Sequence, residues 1–166
     1  MRTPLLLALG LAAGPAMAQG ITLPEVTGPV PVTADSHIFN GAAWQVEPII
    51  LEDYGFVEEE FFISGAANVY DWVPGGDFTP DILRSGDYTT RITVRRPADM
   101  SEFSGRVVVE MINPSAYYDW TAMWAALWER VVANGDVYVG ISSKPAVFGA
   151  LQAFDPDRYA PLSMAN

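Results

Sequence analysis

Cysteine is absent from the 166-residue chain, so neither disulfide bracing nor thiol chemistry is open to it. Histidine occurs once, as His37, which leaves a histidine base or a histidine-based metal site with a single candidate. Basic residues are scarce: nine Lys and Arg stand against twenty Asp and Glu, a net charge of -11. A chain this acidic is repelled by phosphate backbones, so nucleic acid is not an expected partner. No apolar run reaches the ~20 residues that a membrane-spanning helix takes, so no transmembrane span is expected. Three motifs are also missing. There is no G-x-G-x-x-G after a strand, no G-x-x-x-x-G-K-[ST] and no G-x-S-x-G, which removes the usual signs of dinucleotide binding, phosphate cradling and a nucleophile elbow. What is present is apolar bulk: half the residues are hydrophobic and 12% are aromatic, a composition that supports a folded domain with a core.

The N-terminus has the form of an export signal. Arg2 begins it, residues 5–13 (LLLALGLAA) form an apolar stretch, and Ala16-Met17-Ala18 is a small-x-small cleavage site. Cleavage after Ala18 is expected, which makes the protein periplasmic or secreted; the rival reading is an uncleaved anchor. Residues 19–43 are rich in Pro and Gly and read as an extended surface arm, since proline cannot donate to a sheet ladder. Residues 44–166 then form the domain.

Within the domain, residues 56–64 (FVEEEFFIS) predict a first strand and residues 88–95 (YTTRITVR) a second. In the second, Tyr88, Thr90, Ile92 and Val94 alternate with Thr89, Arg91, Thr93 and Arg95, the period-two pattern of a half-buried strand. Residues 73–81 (VPGGDFTPD) punctuate the two as a loop. Residues 106–112 (RVVVEMI) and 136–142 (DVYVGIS) are nearly unbroken apolar runs, expected of strands covered on both faces. Between them Trp120, Met123, Trp124, Leu127, Trp128 and Val131 recur at helical spacing. Asp119 is placed to cap the start of this helix and Asn134-Gly135 to end it. Strand, helix and strand make a βαβ unit with parallel strands. The fold class is therefore α/β: an antiparallel start, then a parallel βαβ unit.

Ligands of open α/β sheets gather at the carboxyl ends of strands. Residues 113–118 (NPSAYY) form such an end and lead into a helix N-terminus, where free N–H groups and the dipole favour negative charge. The loop is either a plain connector or one edge of a reaction site. Other candidates read as structural. His37 is expected to be a surface histidine. Glu58, Glu59 and Glu60, with Glu52 and Asp53 nearby, lack the spaced oxygen ligands of a calcium loop and read as a solvated strand edge. Ser142-Ser143-Lys144 does not match S-x-x-K and reads as a strand end with a snorkelling lysine. Trp120, Trp124 and Trp128 are expected to pack in the core rather than line a sugar site. No metal and no cofactor is expected.

Residues 28–43 (GPVPVTADSHIFNGAA), 55–72 (GFVEEEFFISGAANVYDW), 88–99 (YTTRITVRRPAD) and 103–120 (FSGRVVVEMINPSAYYDW), with 155–163 (DPDRYAPLS) in register, resemble the N-terminal half of a family of secreted alpha/beta hydrolase domain proteins. The resemblance implies an alpha/beta-hydrolase-like sheet of which residues 44–166 are an incomplete domain. It implies an esterase-like serine hydrolase that acts on a small ester-like substrate in the full-length protein. It also makes Asn113, Pro114 and Ser115 the candidates for an oxyanion loop, with Tyr117 and Tyr118 as candidate substrate contacts. The nucleophile elbow and its later histidine are not among these residues, so the chain alone is expected to be inactive. With the elbow-bearing strand missing, residues 107–112 become an apolar sheet edge, open to self-association. The alternative is a complete, non-catalytic secreted binding module whose aromatics, among them Trp72, contact a ligand.

Overall fold

The computed structural model describes residues 23–76 and 79–165. The expected leader, residues 1–18, lies outside the described residues.

Five strands make one sheet. They are β1 (Glu25–Thr27), β2 (Phe56–Trp72), β3 (Pro80–Pro97), β4 (Val107–Ile112) and β5 (Val137–Ser142), in spatial order β1-β2-β3-β5-β4. Contacts among β1, β2, β3 and β5 are antiparallel, whereas β4 and β5 run parallel. Helix α1 (Ala122–Asn134) crosses between those two strands, and α2 (Phe148–Phe154) follows β5. The α/β class and the antiparallel-then-parallel order match the sequence reading. Both hairpin strands are longer than expected, because β2 continues through residues 65–72. Only residues 92–95 of β3 meet β5, so the far half of the hairpin projects past the sheet.

Strand alternation puts Phe56, Glu58, Glu60 and Phe62 of β2 on the same face as Arg91, Thr93 and Arg95 of β3. The sequence pattern suggested that the apolar partners of these arginines would face inward. The structure reverses this: Arg91 and Arg95 are among the largest fully buried side chains, and Glu60 is 0% exposed. The solvated-edge reading of the three glutamates therefore fails at Glu60. Burial is tolerated because opposite charges meet. Arg91 pairs with Glu60 at 2.8 Å, Arg158 with Glu60 at 2.6 Å and Arg95 with Glu58 at 2.6 Å. The Arg95 guanidinium also lies 4.2 Å from the Trp124 ring centre, a cation–π contact.

Two apolar clusters flank this charged band on the same face. One joins Phe56, Trp124, Val131 and Tyr138 under α1, with Ala42 and Leu51 from the preceding segment. The other joins Phe62, Val147, Phe148, Leu151, Tyr159 and Leu162 under α2. Each fully buried large side chain here contributes on the order of 2 kcal/mol. The helix stripe is narrower than the sequence suggested. Trp124 and Val131 are buried, but Met123 and Trp120 are half exposed, and Trp120 lies before the helix.

The expectation that β4 is covered on both faces is also corrected. Glu110 and Ile112 are buried, while Val107, Val109 and Met111 are 51%, 59% and 62% exposed. Among the described residues no strand pairs with the outer edge of β4.

Asp119 does not cap α1. Thr121 holds the cap position without a side-chain bond, and the donors are satisfied from the sheet: Glu110 accepts from the N–H groups of Met123 and Trp124 at 3.0 and 3.1 Å. The helix ends at Gly135 as expected. Its φ of +69° is left-handed, and a Cβ there would fall against the Glu102 carbonyl oxygen, so only glycine suits the position.

Candidate functional site

The loop after β4 is closed at its neck. Asn113 and Trp120 exchange two backbone hydrogen bonds, of 3.2 and 3.1 Å. Inside the neck, Asn113 Oδ1 accepts from the Ser115 N–H at 2.9 Å, and Tyr117 N–H donates to the Pro114 carbonyl at 3.0 Å. Tyr117 turns through the left-handed region, with φ of +61°, and the residue is 75% exposed. Tyr118 is less open. With Trp120, Asn40, Gln45 and Thr121 it lines a cavity of about 320 Å³. The structure thus keeps Asn113, Pro114, Ser115, Tyr117 and Tyr118 together on one tight loop at the carboxyl end of β4.

The sequence argument assigned the anion-stabilising donors to the start of α1. Those donors are already bound: Met123 and Trp124 by Glu110, Ala122 by the Trp120 carbonyl, and Ala125 by the Thr121 carbonyl. Donors for a developing negative charge must therefore come from the loop itself. Pro114 has no N–H and that of Ser115 is bound by Asn113, which leaves, among residues 113–118, the Asn113 side-chain amide, the Ser115 hydroxyl and the N–H groups of Ala116 and Tyr118.

The far end of the loop is fixed by Asp119, which is fully buried. Its Oδ2 accepts from Arg91 Nη2 at 2.9 Å, from Arg91 Nε at 3.1 Å and from the Ser142 hydroxyl at 2.5 Å. Its backbone carbonyl accepts from the Asn40 amide at 2.9 Å. The loop is thereby tied to β3, to the end of β5 and to the segment before β2. Behind Asp119 the charges alternate: Asp119, Arg91, Glu60, Arg158. Tyr159 completes the chain by donating to Glu60 at 3.0 Å. Burial alone would lower the Arg91 pKa; Asp119, Tyr159 and Glu60 outweigh it and hold the guanidinium above its ordinary value. Burial pushes Tyr159 up to about 12, with Glu60 adding to the shift and Arg91 opposing it. Burial also pushes Tyr138 well above the usual tyrosine range, helped by its 2.5 Å hydrogen bond to Glu110.

Sequence reasoning missed Arg91, Glu60, Asp119 and Ser142 as a unit. A signal was present: acids at 58 and 60 and arginines at 91 and 95 share the period-two spacing of two adjacent strands. Ser142, read as a strand end, is one, yet its side chain is 0% exposed and bound to Asp119. His37 is half-buried rather than free at the surface. It stacks on Trp44 at 3.8 Å and meets the edge of Phe154 at 5.0 Å. Among the described residues no group of three or more His, Asp or Glu is placed to hold a metal ion, and no helix is long and apolar enough to cross a membrane.

An antiparallel sheet that ends in a parallel βαβ unit, flanked by helices, defines an α/β domain. The chain belongs to the alpha/beta hydrolase domain family: the family model described as Alpha/beta hydrolase domain matches residues 26–166. No curated protein and no solved structure matches the chain.

Proposed function

We propose that this chain supplies the oxyanion side of an acyl-transfer site in an exported, esterase-like serine hydrolase. One observation carries the reading: in a member of this family, the loop that follows β4 is closed by the Asn113–Trp120 pair and anchored through the buried Asp119. A carbonyl oxygen that gains charge during acyl transfer needs donors held in place beforehand. The Asn113 side-chain amide, the Ser115 hydroxyl and the free N–H groups of Ala116 and Tyr118 are the donors this loop offers. Tyr118, beside its cavity, contacts an ester-like substrate, and Tyr117 reaches the same ligand from the rim.

Attack on a carbonyl also needs a nucleophile and a base. The chain has one histidine and no G-x-S-x-G, and His37 is stacked on Trp44 with Phe154 edge-on beside it. The nucleophile and base are therefore supplied from outside these 166 residues, and the chain alone turns nothing over. In this reading residues 1–18 are a cleaved export signal and residues 44–166 part of the hydrolase domain; the segment expected as a surface arm is built into that domain instead, since it supplies β1 and buries Ile38 and Ala42. The free edge of β4 then accepts a further strand, from the same domain or from another copy.

The test is expression of residues 19–166 followed by size-exclusion chromatography and a p-nitrophenyl ester screen. No turnover, with recovery of hydrolysis when a downstream segment bearing an elbow serine and a histidine is added, supports the proposal. Ester cleavage by the purified chain overturns it. A monomer that melts cooperatively and stays inert even with such a segment favours the binding-module alternative.

A further inference from the structure

A cavity of about 640 Å³ lies between the segment that precedes β2 and helix α1. It adjoins the cavity beside Tyr118, because Gln45, Val46 and Ala125 line both. The two make one groove that runs from the β4 loop along α1. At its far end stand the rings of Tyr54 and Trp128, edge to face, with centroids 5.4 Å apart and planes at 72°. Such a corner presents one electron-rich face next to another. Asp53 and Glu47 line the same cavity, and no Lys, Arg or His does. Neither carboxylate has a hydrogen-bond or ion-pair partner among the described residues.

We propose that this aromatic corner, with Asp53 and Glu47, binds an organic ammonium ion whose apolar substituent lies along the groove toward Trp120 and Tyr118. The argument is one of complementarity. A cation over an aromatic face is attracted by the ring quadrupole, more strongly as water is excluded. Two unpaired carboxylates add attraction, and a net charge of -11 draws cations to the surface from a distance. The aromatic faces favour an alkylated ammonium over a small, strongly hydrated metal ion. Carboxylates line one end of the groove with aromatic rings, and Val46, Ile49, Ala125 and Trp120 line the rest, which suits a ligand with one charged end and one apolar end. The ammonium end rests on Tyr54, Trp128, Glu47 and Asp53, none of which the proposed acyl-transfer site uses, whereas the apolar end approaches Tyr118, which that reading gives to the ester-like substrate.

Benzyltrimethylammonium is the probe, titrated against residues 19–166 and followed by tryptophan fluorescence and calorimetry at low salt. Benzyl alcohol serves as the neutral comparison. Saturable binding of the cation is expected, at least tenfold tighter than that of the alcohol and weaker as salt is added. The surface double variant Glu47→Gln/Asp53→Asn should weaken cation binding about tenfold with an unchanged melting temperature, and Tyr54→Leu should weaken it again. No saturable binding by the folded protein, equal binding of the alcohol, or full affinity in the double variant would overturn the proposal. Because no turnover is measured, the outcome is independent of whether the β4 loop serves an esterase.

Discussion

Arg91 and Asp119 are 28 residues apart in sequence, yet two guanidinium nitrogens of Arg91 lie 3.1 and 2.9 Å from a single oxygen of Asp119. Both side chains are essentially out of water. This pair connects the middle strand of the sheet to the loop on which the proposed oxyanion donors stand.

Removing the arginine should therefore act on both fold and loop. Arg91→Met leaves Glu60 with Arg158 but takes the cation from Asp119, and an uncompensated buried charge costs about 3–5 kcal/mol. Urea denaturation should show a loss of that size. Arg91→Met combined with Asp119→Leu should recover much of it, because the stranded carboxylate is gone. Equal instability of the single and double variants would show that packing, not charge, dominates there.

Ser142 should be inert as a nucleophile. Its hydroxyl is buried and donates to Asp119 at 2.5 Å. A fluorophosphonate reagent should leave it unlabelled, as mapped by peptide mass spectrometry of the folded chain. Ser142→Ala should destabilise by roughly 1.5–3 kcal/mol, the scale of a lost hydrogen bond to a charged group. Labelling at Ser142 would contradict its buried placement.

Alkali should weaken the fold before it ionises the buried tyrosines. Tyr159 is raised to about 12 and Tyr138 is raised as well, whereas unfolded tyrosine titrates near 10. Between about pH 10 and 12 the unfolded chain has released protons that the folded chain still holds. Stability conferred by the neutral phenols is full below pH 10 and is lost as pH rises through the folded value. Urea midpoints measured from pH 9 to 11.5 should fall, and Tyr159→Phe should flatten part of that fall. In acid the sign is opposite. The Ser36 hydroxyl and the Arg158 N–H hold Asp155 below the usual carboxylate range, so its contribution is present above that range and fades as pH drops through the folded value.

The edge of β4 should govern solution behaviour. Val107, Val109 and Met111 point outward and are more than half exposed, beside backbone groups that no described strand pairs. Val109→Lys, a charge on an apolar edge, should lower concentration-dependent light scattering without a change in melting temperature. Identical scattering in the variant would remove β4 as the contact.

The helix, its glycine stop, the parallel pair and the turn-rich connector were legible because each is written in local pattern. Trp124, Val131 and Gly135 announce α1 within one short window, and residues 137–142 read as a strand from hydropathy alone. The reversed face of β3 was not legible. Arg91 and Arg95 look solvent-facing until Glu58, Glu60 and Asp119, all remote in sequence, arrive to neutralise them. Asp119 looked like a helix cap for the same reason: its partner on β3 is invisible locally, while Glu110, the residue that binds the helix donors, lies one strand away. At the candidate site the sequence located the loop, but which of its N–H groups remain free depended on the Asn113 side chain and on Glu110.

Arg158 reaches back to the Pro31 carbonyl, 127 residues earlier, and to Glu60. During synthesis β2 therefore emerges long before its final counter-ion. Arg91 on β3 can pair with Glu60 earlier, but Glu60 Oε2 keeps its water until the residues around 158 leave the ribosome. Assembly is thus expected to be late and abrupt rather than progressive, in keeping with the slow folding of chains whose contacts span long sequence separations.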